Sequence, residues 1–103
     1  YNDSQIKIDL IAERVLTLGG TPLHTFADYI ENSKLQIGKN ISKDVEAIQL
    51  ILESLSVLLQ VERVILAKAA DINDEGTNSM MSDFIAEQEK TNWMLKAWME
   101  EEI

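Results

Sequence analysis

The chain has 103 residues, 46% hydrophobic and 26% charged, which is room for one globular domain and no more. The absence of cysteine excludes disulfides and thiolate metal sites and fits a reducing, cytoplasmic setting, and no apolar run approaches the roughly 18 residues of a membrane span. Eighteen acidic against nine basic residues leave a formal net charge of −9, a surface that repels phosphate backbones and concentrates cations.

Residues 1–18 read as the first helix. Ile8, Ile11, Val15 and Leu18 recur at three- and four-residue steps, the apolar stripe of an amphipathic helix. Asp9 and Glu13 stand four apart, so their carboxylates leave the same face one turn from each other. Like charges at that spacing repel, and Asp is a poor helix former besides. Two readings stay open: a solvated acidic face, or a pair held together by an outside cation or arginine. Arg14 is adjacent in sequence and points elsewhere. Gly19-Gly20 ends the helix and Pro22 prevents its resumption.

A short helix follows over 23–33, with Thr25 as N-cap, Asp28 three residues on, and Phe26, Tyr29 and Ile30 on one apolar side. Two turns are not stable alone, so this helix must pack on something. Residues 34–41 form a loop broken by Gly38. Ser42 is then the expected cap of a long helix, with Asp44 and Glu46 in its first turn, where the helix dipole favours negative charge. Two sets of apolar residues, Val45, Ile48, Leu52, Leu55, Leu59, Leu66 and Ile51, Leu58, Ile65, predict contacts on two sides. At 1.5 Å per residue this helix reaches about 44 Å, a bundle length.

The break at 71–76 leads to a last helix capped by Asp74 or Thr77, with Met81, Phe84, Ile85, Gln88, Leu95 and Trp98 as its buried stripe. Trp93 and Trp98 read as core or interface residues. Glu87, Glu89 and the run Glu100, Glu101, Glu102 read as solvated faces. His24, the single histidine, lies in the loop after the glycine pair and reads as a surface or cap residue. No β-alternation, internal repeat or low-complexity tract interrupts the pattern, so the fold is expected to be all-α, one domain over 1–103. Three long helices and a short one leave an open side, which another segment or another chain is expected to fill.

The run from Asp9 through Glu13, Gly19-Gly20, Pro22 and His24 to Phe26 resembles the Dps family, the dodecameric miniferritins known as DNA-binding proteins from starved cells. The resemblance resumes in Asp74-Glu-Gly-Thr and in Glu87-Gln-Glu-Lys-Thr-Asn-Trp-Met-Leu-Lys-Ala-Trp98, in order and in register. It implies a ferritin-like four-helix bundle with the short helix between the second and third long helices and near a two-fold interface. By the same resemblance, Asp9 and Glu13 match the Asp and Glu that one subunit supplies to an iron site completed by histidines and a carboxylate of its neighbour. Ferrous ions there are oxidised by hydrogen peroxide, or more slowly by oxygen, and the ferric product mineralises inside a homo-oligomeric shell. Asp74 and Asp83 resemble residues that line iron-admitting pores, the alternative being a helix cap and a surface residue.

One departure is large. The family places a long helix with a His-x-x-x-His-Trp-like segment ahead of this point, and here the sequence opens at Tyr1, where the second family helix is already under way. The domain is therefore expected to be N-terminally incomplete, carrying the last three long helices and the short one. Two functions follow from that: a ferroxidase and iron-storage subunit, or a structural, non-catalytic ferritin-like assembly. DNA compaction would require a basic tail, which this sequence does not show.

Overall fold

The computed structural model describes residues 1–102, with Glu102 described by its backbone. Four helices follow in order, α1 (Asn2–Thr17), α2 (Phe26–Asn32), α3 (Asp44–Asp71) and α4 (Glu75–Glu102), and no strand occurs among the described residues. The chain divides into two compact units, Tyr1–Lys34 and Leu35–Ile103.

In the first unit, α1 carries an ion pair one turn long. The Lys7 ammonium donates to both carboxylate oxygens of Asp3, at 2.9 and 2.8 Å, and Lys7 is itself only 7% exposed. The helix ends in a Schellman motif. Gly19, at φ 87°, donates its N–H to the Leu16 carbonyl at 3.0 Å, and Gly20 donates to the Val15 carbonyl at 2.8 Å. Glycine at this position takes the left-handed conformation without a Cβ clash. The expected apolar stripe is uncovered: Ile8, Ile11 and Leu18 are exposed and Val15 is half-buried. Periodicity identified the stripe, and three of its four residues are exposed.

The short helix starts three residues later and ends one residue earlier than its expected span, its start set by the Thr25 cap. The Thr25 hydroxyl accepts the Asp28 N–H at 3.2 Å. Phe26 and Tyr29 meet edge to face, centroids 6.1 Å apart, while Phe26 and Ile30 stay exposed.

The second unit is a helical hairpin. The 28 residues of α3 and the 28 of α4 are joined through Ile72, Asn73 and Asp74, a connection so short that the helices must run antiparallel. Asn73, at φ 60°, takes the left-handed place that Gly19 takes in α1. Its N–H reaches the Ala70 carbonyl at 3.2 Å, and the Asp74 N–H reaches Ala69 at 2.8 Å. Leu55, Leu59 and Ala69 of α3 and Met81, Phe84 and Met99 of α4 form the buried apolar core. Asn78 Nδ2 donates across the hairpin to the Leu66 carbonyl at 3.2 Å, and Arg63 pairs with Glu89 at 2.8 Å. These contacts fix the register of one helix on the other.

One expectation, the cap of α3, is corrected here. Ser42 is not the cap of α3: the helix starts at Asp44, Lys43 occupies the N-cap position without a side-chain bond, and the acidic first turn of Asp44 and Glu46 meets the dipole. The second apolar side of α3 is open, since Ile51 and Ile65 are exposed. Trp93 is 66% exposed and lies outside the core of this chain, while Trp98 is half-buried and Met99, outside the expected stripe, is buried.

Candidate metal-binding face

Asp9 and Glu13 both sit on α1, four residues and therefore about 6 Å of helix rise apart. Both are exposed, and neither takes part in an ion pair or side-chain hydrogen bond among the described residues. Arg14 does not serve the pair: it is half-buried and engaged elsewhere. At this turn the Thr17 hydroxyl donates to the Glu13 backbone carbonyl at 2.7 Å. That bond leaves the Glu13 carboxylate available.

The surroundings of the pair are mixed. Ile6 lies three residues before Asp9, and Leu10 and Leu16 each lie three residues from Glu13, so all three are surface neighbours of a carboxylate. They are 60%, 42% and 61% exposed. Gln5, four residues before Asp9, and Thr17, four after Glu13, are exposed polar neighbours of the same carboxylates.

Two carboxylates are a suitable half-set of hard oxygen donors for ferrous or ferric iron. They are not a complete one. No group of three or more His, Asp or Glu side chains able to hold a metal ion occurs among the described residues. His24 is exposed in the segment between α1 and α2 and does not join Asp9 and Glu13 in such a group.

Asp74 is a helix cap. Its Oδ1 accepts the Thr77 N–H at 3.1 Å and its Oδ2 accepts the Thr77 hydroxyl at 2.6 Å. Asp83 stands exposed on α4, nine residues further along, and the two do not converge within this chain. Glu89 is tied to Arg63, and Glu87, exposed, is also engaged. Glu100 and Glu101 are exposed, whereas the Glu102 side chain lies outside the described residues.

Sequence reasoning missed two features of the α3–α4 hairpin. One is a groove of about 670 Å³ bordered by Leu52, Ser56 and Leu59 of α3 and by Asn92 and Lys96 of α4, with the Arg63–Glu89 pair at its edge. The other is the burial of Glu62, at 8% exposure, whereas Gln88, at 7%, lies buried as its place in the apolar stripe predicts. Glu62 offered no signal, because a carboxylate in a helix reads as surface by default.

The ferritin-like domain family matches residues 1–102. An uncharacterized protein of Haemophilus influenzae is 42% identical over 97 residues, covering 94% of this chain and 61% of that protein. The DNA protection during starvation protein of Porphyromonas gingivalis is 33% identical over 98 residues, covering 95% of this chain and 62% of that one. Among solved structures, the crystal structure of a Dps protein from Vibrio cholerae O1, described as a member of a broad superfamily of ferritin-like diiron-carboxylate proteins, superimposes with a TM-score of 0.94. The identity there is 41%, over 96% of this chain and 62% of the other. The chain thus spans about three-fifths of the length of each.

Proposed function

Because the chain belongs to the Dps branch of the ferritin-like proteins, we propose that it is the larger part of an iron-storage and detoxification subunit that oxidises ferrous iron. Asp9 and Glu13 hold the ferrous ions on one side, and a second copy supplies nitrogen and further oxygen donors from outside the described residues. Carboxylates suit this step because their charge stabilises the ion more strongly as it becomes ferric. One hydrogen peroxide takes one electron from each of two ferrous ions. Its O–O bond breaks, and with two further waters the products are two ferric oxyhydroxide units and four protons. Delivering both electrons at one site avoids the one-electron route that releases hydroxyl radical. Oxygen serves as a slower oxidant, and the mineral collects inside a homo-oligomeric shell of twelve subunits in the cytoplasm.

The observation that carries this reading is the Asp9–Glu13 pair: exposed, one turn apart and without a side-chain partner among the described residues. The protection of DNA named for the Porphyromonas gingivalis relative follows here from removal of iron and peroxide, since a chain of net charge −9 has little attraction for phosphate. Asp74 and Asp83 are proposed pore residues, Asp74 alongside its capping role.

Ferrous-dependent peroxide consumption by the intact protein tests the proposal. Asp9→Asn with Glu13→Gln is expected to lower the rate by at least about a hundredfold, the scale of losing ligands at a metal site. Unchanged kinetics in that variant would remove the site from the pair. The second reading, a structural ferritin-like assembly, predicts intact oligomers with no tight iron site.

A further inference from the structure

In a chain of net charge −9, the charged residues along the α3–α4 groove balance: Glu53 and Glu89 against Arg63 and Lys96. Their signs also alternate from helix to helix. Arg63 and Glu89 are paired at 2.8 Å and mark one level of the antiparallel hairpin. Ten residues back along α3 is about 15 Å and seven forward along α4 about 10 Å, so Glu53 and Lys96 flank the far end within one turn of a common level. Neither of these two takes part in an ion pair or side-chain hydrogen bond among the described residues.

Trp93 stands on the rim of the same groove, four residues after Glu89 and three before Lys96. It is 66% exposed. An indole left in water forfeits a large apolar burial, and tryptophan is concentrated where proteins bind one another. We infer that two copies of the chain associate groove to groove, about a two-fold axis parallel to the helices, each seating Trp93 in the other's groove.

That axis lays α3 of one copy over α4 of the other, antiparallel and at the same level. The signs then complement, because each uncommitted Glu53 meets the second copy's Lys96 and each Arg63 the second copy's Glu89. Trp93 lies four residues past Glu89 and Leu59 four before Arg63, which makes them level and puts Ser56 within one turn. Each indole therefore comes over Leu59 and Ser56 of the second copy. Leu52 and Leu59 supply an apolar floor there, and Ser56, the smallest side chain of the lining, leaves the space. Ser56 and Ile65 are nine residues apart on α3, two and a half turns, and so face opposite ways. Covering the open apolar side of α3 leaves the groove free. None of these residues serves the ferroxidase reading, whose pair lies on α1.

Trp98→Phe leaves Trp93 as the single tryptophan of these 103 residues, and its fluorescence then reports its burial. Over a dilution series the emission maximum is expected to move to the blue as concentration rises. Glu53→Lys and Lys96→Glu each set like charges face to face twice in the pair, and each should weaken association about tenfold or more. Glu53→Lys with Lys96→Glu exchanges the signs and should restore it. Both positions are exposed on helices, so far-ultraviolet circular dichroism should be the same in all these variants. An exchange variant no tighter than either single reversal would overturn the pairing. So would a Trp93 emission that neither dilution nor charge reversal moves, since any association would then run through another surface.

Discussion

Gly19 and Asn73 occupy equivalent places at the ends of α1 and α3, both left-handed, at φ 87° and 60°. They differ in what that conformation costs. Gly19→Ala should destabilise by about 1 kcal/mol, the penalty for a Cβ in that region; Asn73→Gly should be neutral or slightly stabilising, and urea midpoints at constant m-value would show both. Asp74 permits a cleaner separation of roles. Asp74→Ala removes the acceptor for Thr77 and should cost about 1 kcal/mol. Asp74→Asn keeps a good cap while removing the charge, so its melting temperature should stay near that of the unmodified protein. If Asp74 and Asp83 guide cations, Asp74→Asn with Asp83→Asn should slow iron entry with stability retained. Equal uptake rates in stopped flow would leave Asp74 as a cap alone.

The α3–α4 hairpin shows how far an element can be read from its periodicity. The stripe of α4 placed Met81, Phe84 and Gln88 in the interior, and they are 2%, 4% and 7% exposed. Hydrophobic spacing determines which residues share a face, and a hairpin with a three-residue connection leaves little doubt which faces meet. The start of α3 was less legible, because Ser42 is a good capping residue and the helix begins two residues later without using it. On α1 the spacing of Ile8, Ile11 and Leu18 was evident, but spacing does not reveal whether anything covers a stripe. The site was legible only in part: the spacing of Asp9 and Glu13 by itself favoured a solvated face, and the family resemblance singled them out. The buried Lys7 escaped notice, since a lysine in a helix reads as surface by default, and here it pairs with Asp3 one turn before it. Gln88 supports a prediction at this scale. Its amide oxygen is buried and accepts no hydrogen bond, so Gln88→Leu, close in shape, should stabilise the hairpin by about 1 kcal/mol. A lower urea midpoint would reveal that the amide is satisfied in solution.

For the molecule as a whole, charge and apolar exposure act against each other. A net charge of −9 keeps copies apart at low salt, whereas the open side of α3, with Ile51, Val61 and Ile65 at 44%, 37% and 37% exposure, draws apolar surface together. The balance should therefore depend on ionic strength. Salt screens the repulsion, with a Debye length near 10 Å at 0.1 M, and leaves the hydrophobic term intact or stronger. Produced as these 103 residues, the chain should associate more as salt rises and should bind a hydrophobic dye such as anilinonaphthalene sulfonate. Ile51→Lys with Ile65→Lys places charge on that side of α3 and should suppress both effects while far-ultraviolet circular dichroism stays unchanged, because both positions are solvent-exposed in a helix that lysine tolerates well. In the intact protein the same pair should instead lower stability if a further helix or a neighbouring copy packs there. Equal dye binding with and without the two lysines would mean that the association comes from another surface, with α2 and its exposed Phe26 and Ile30 the next to substitute.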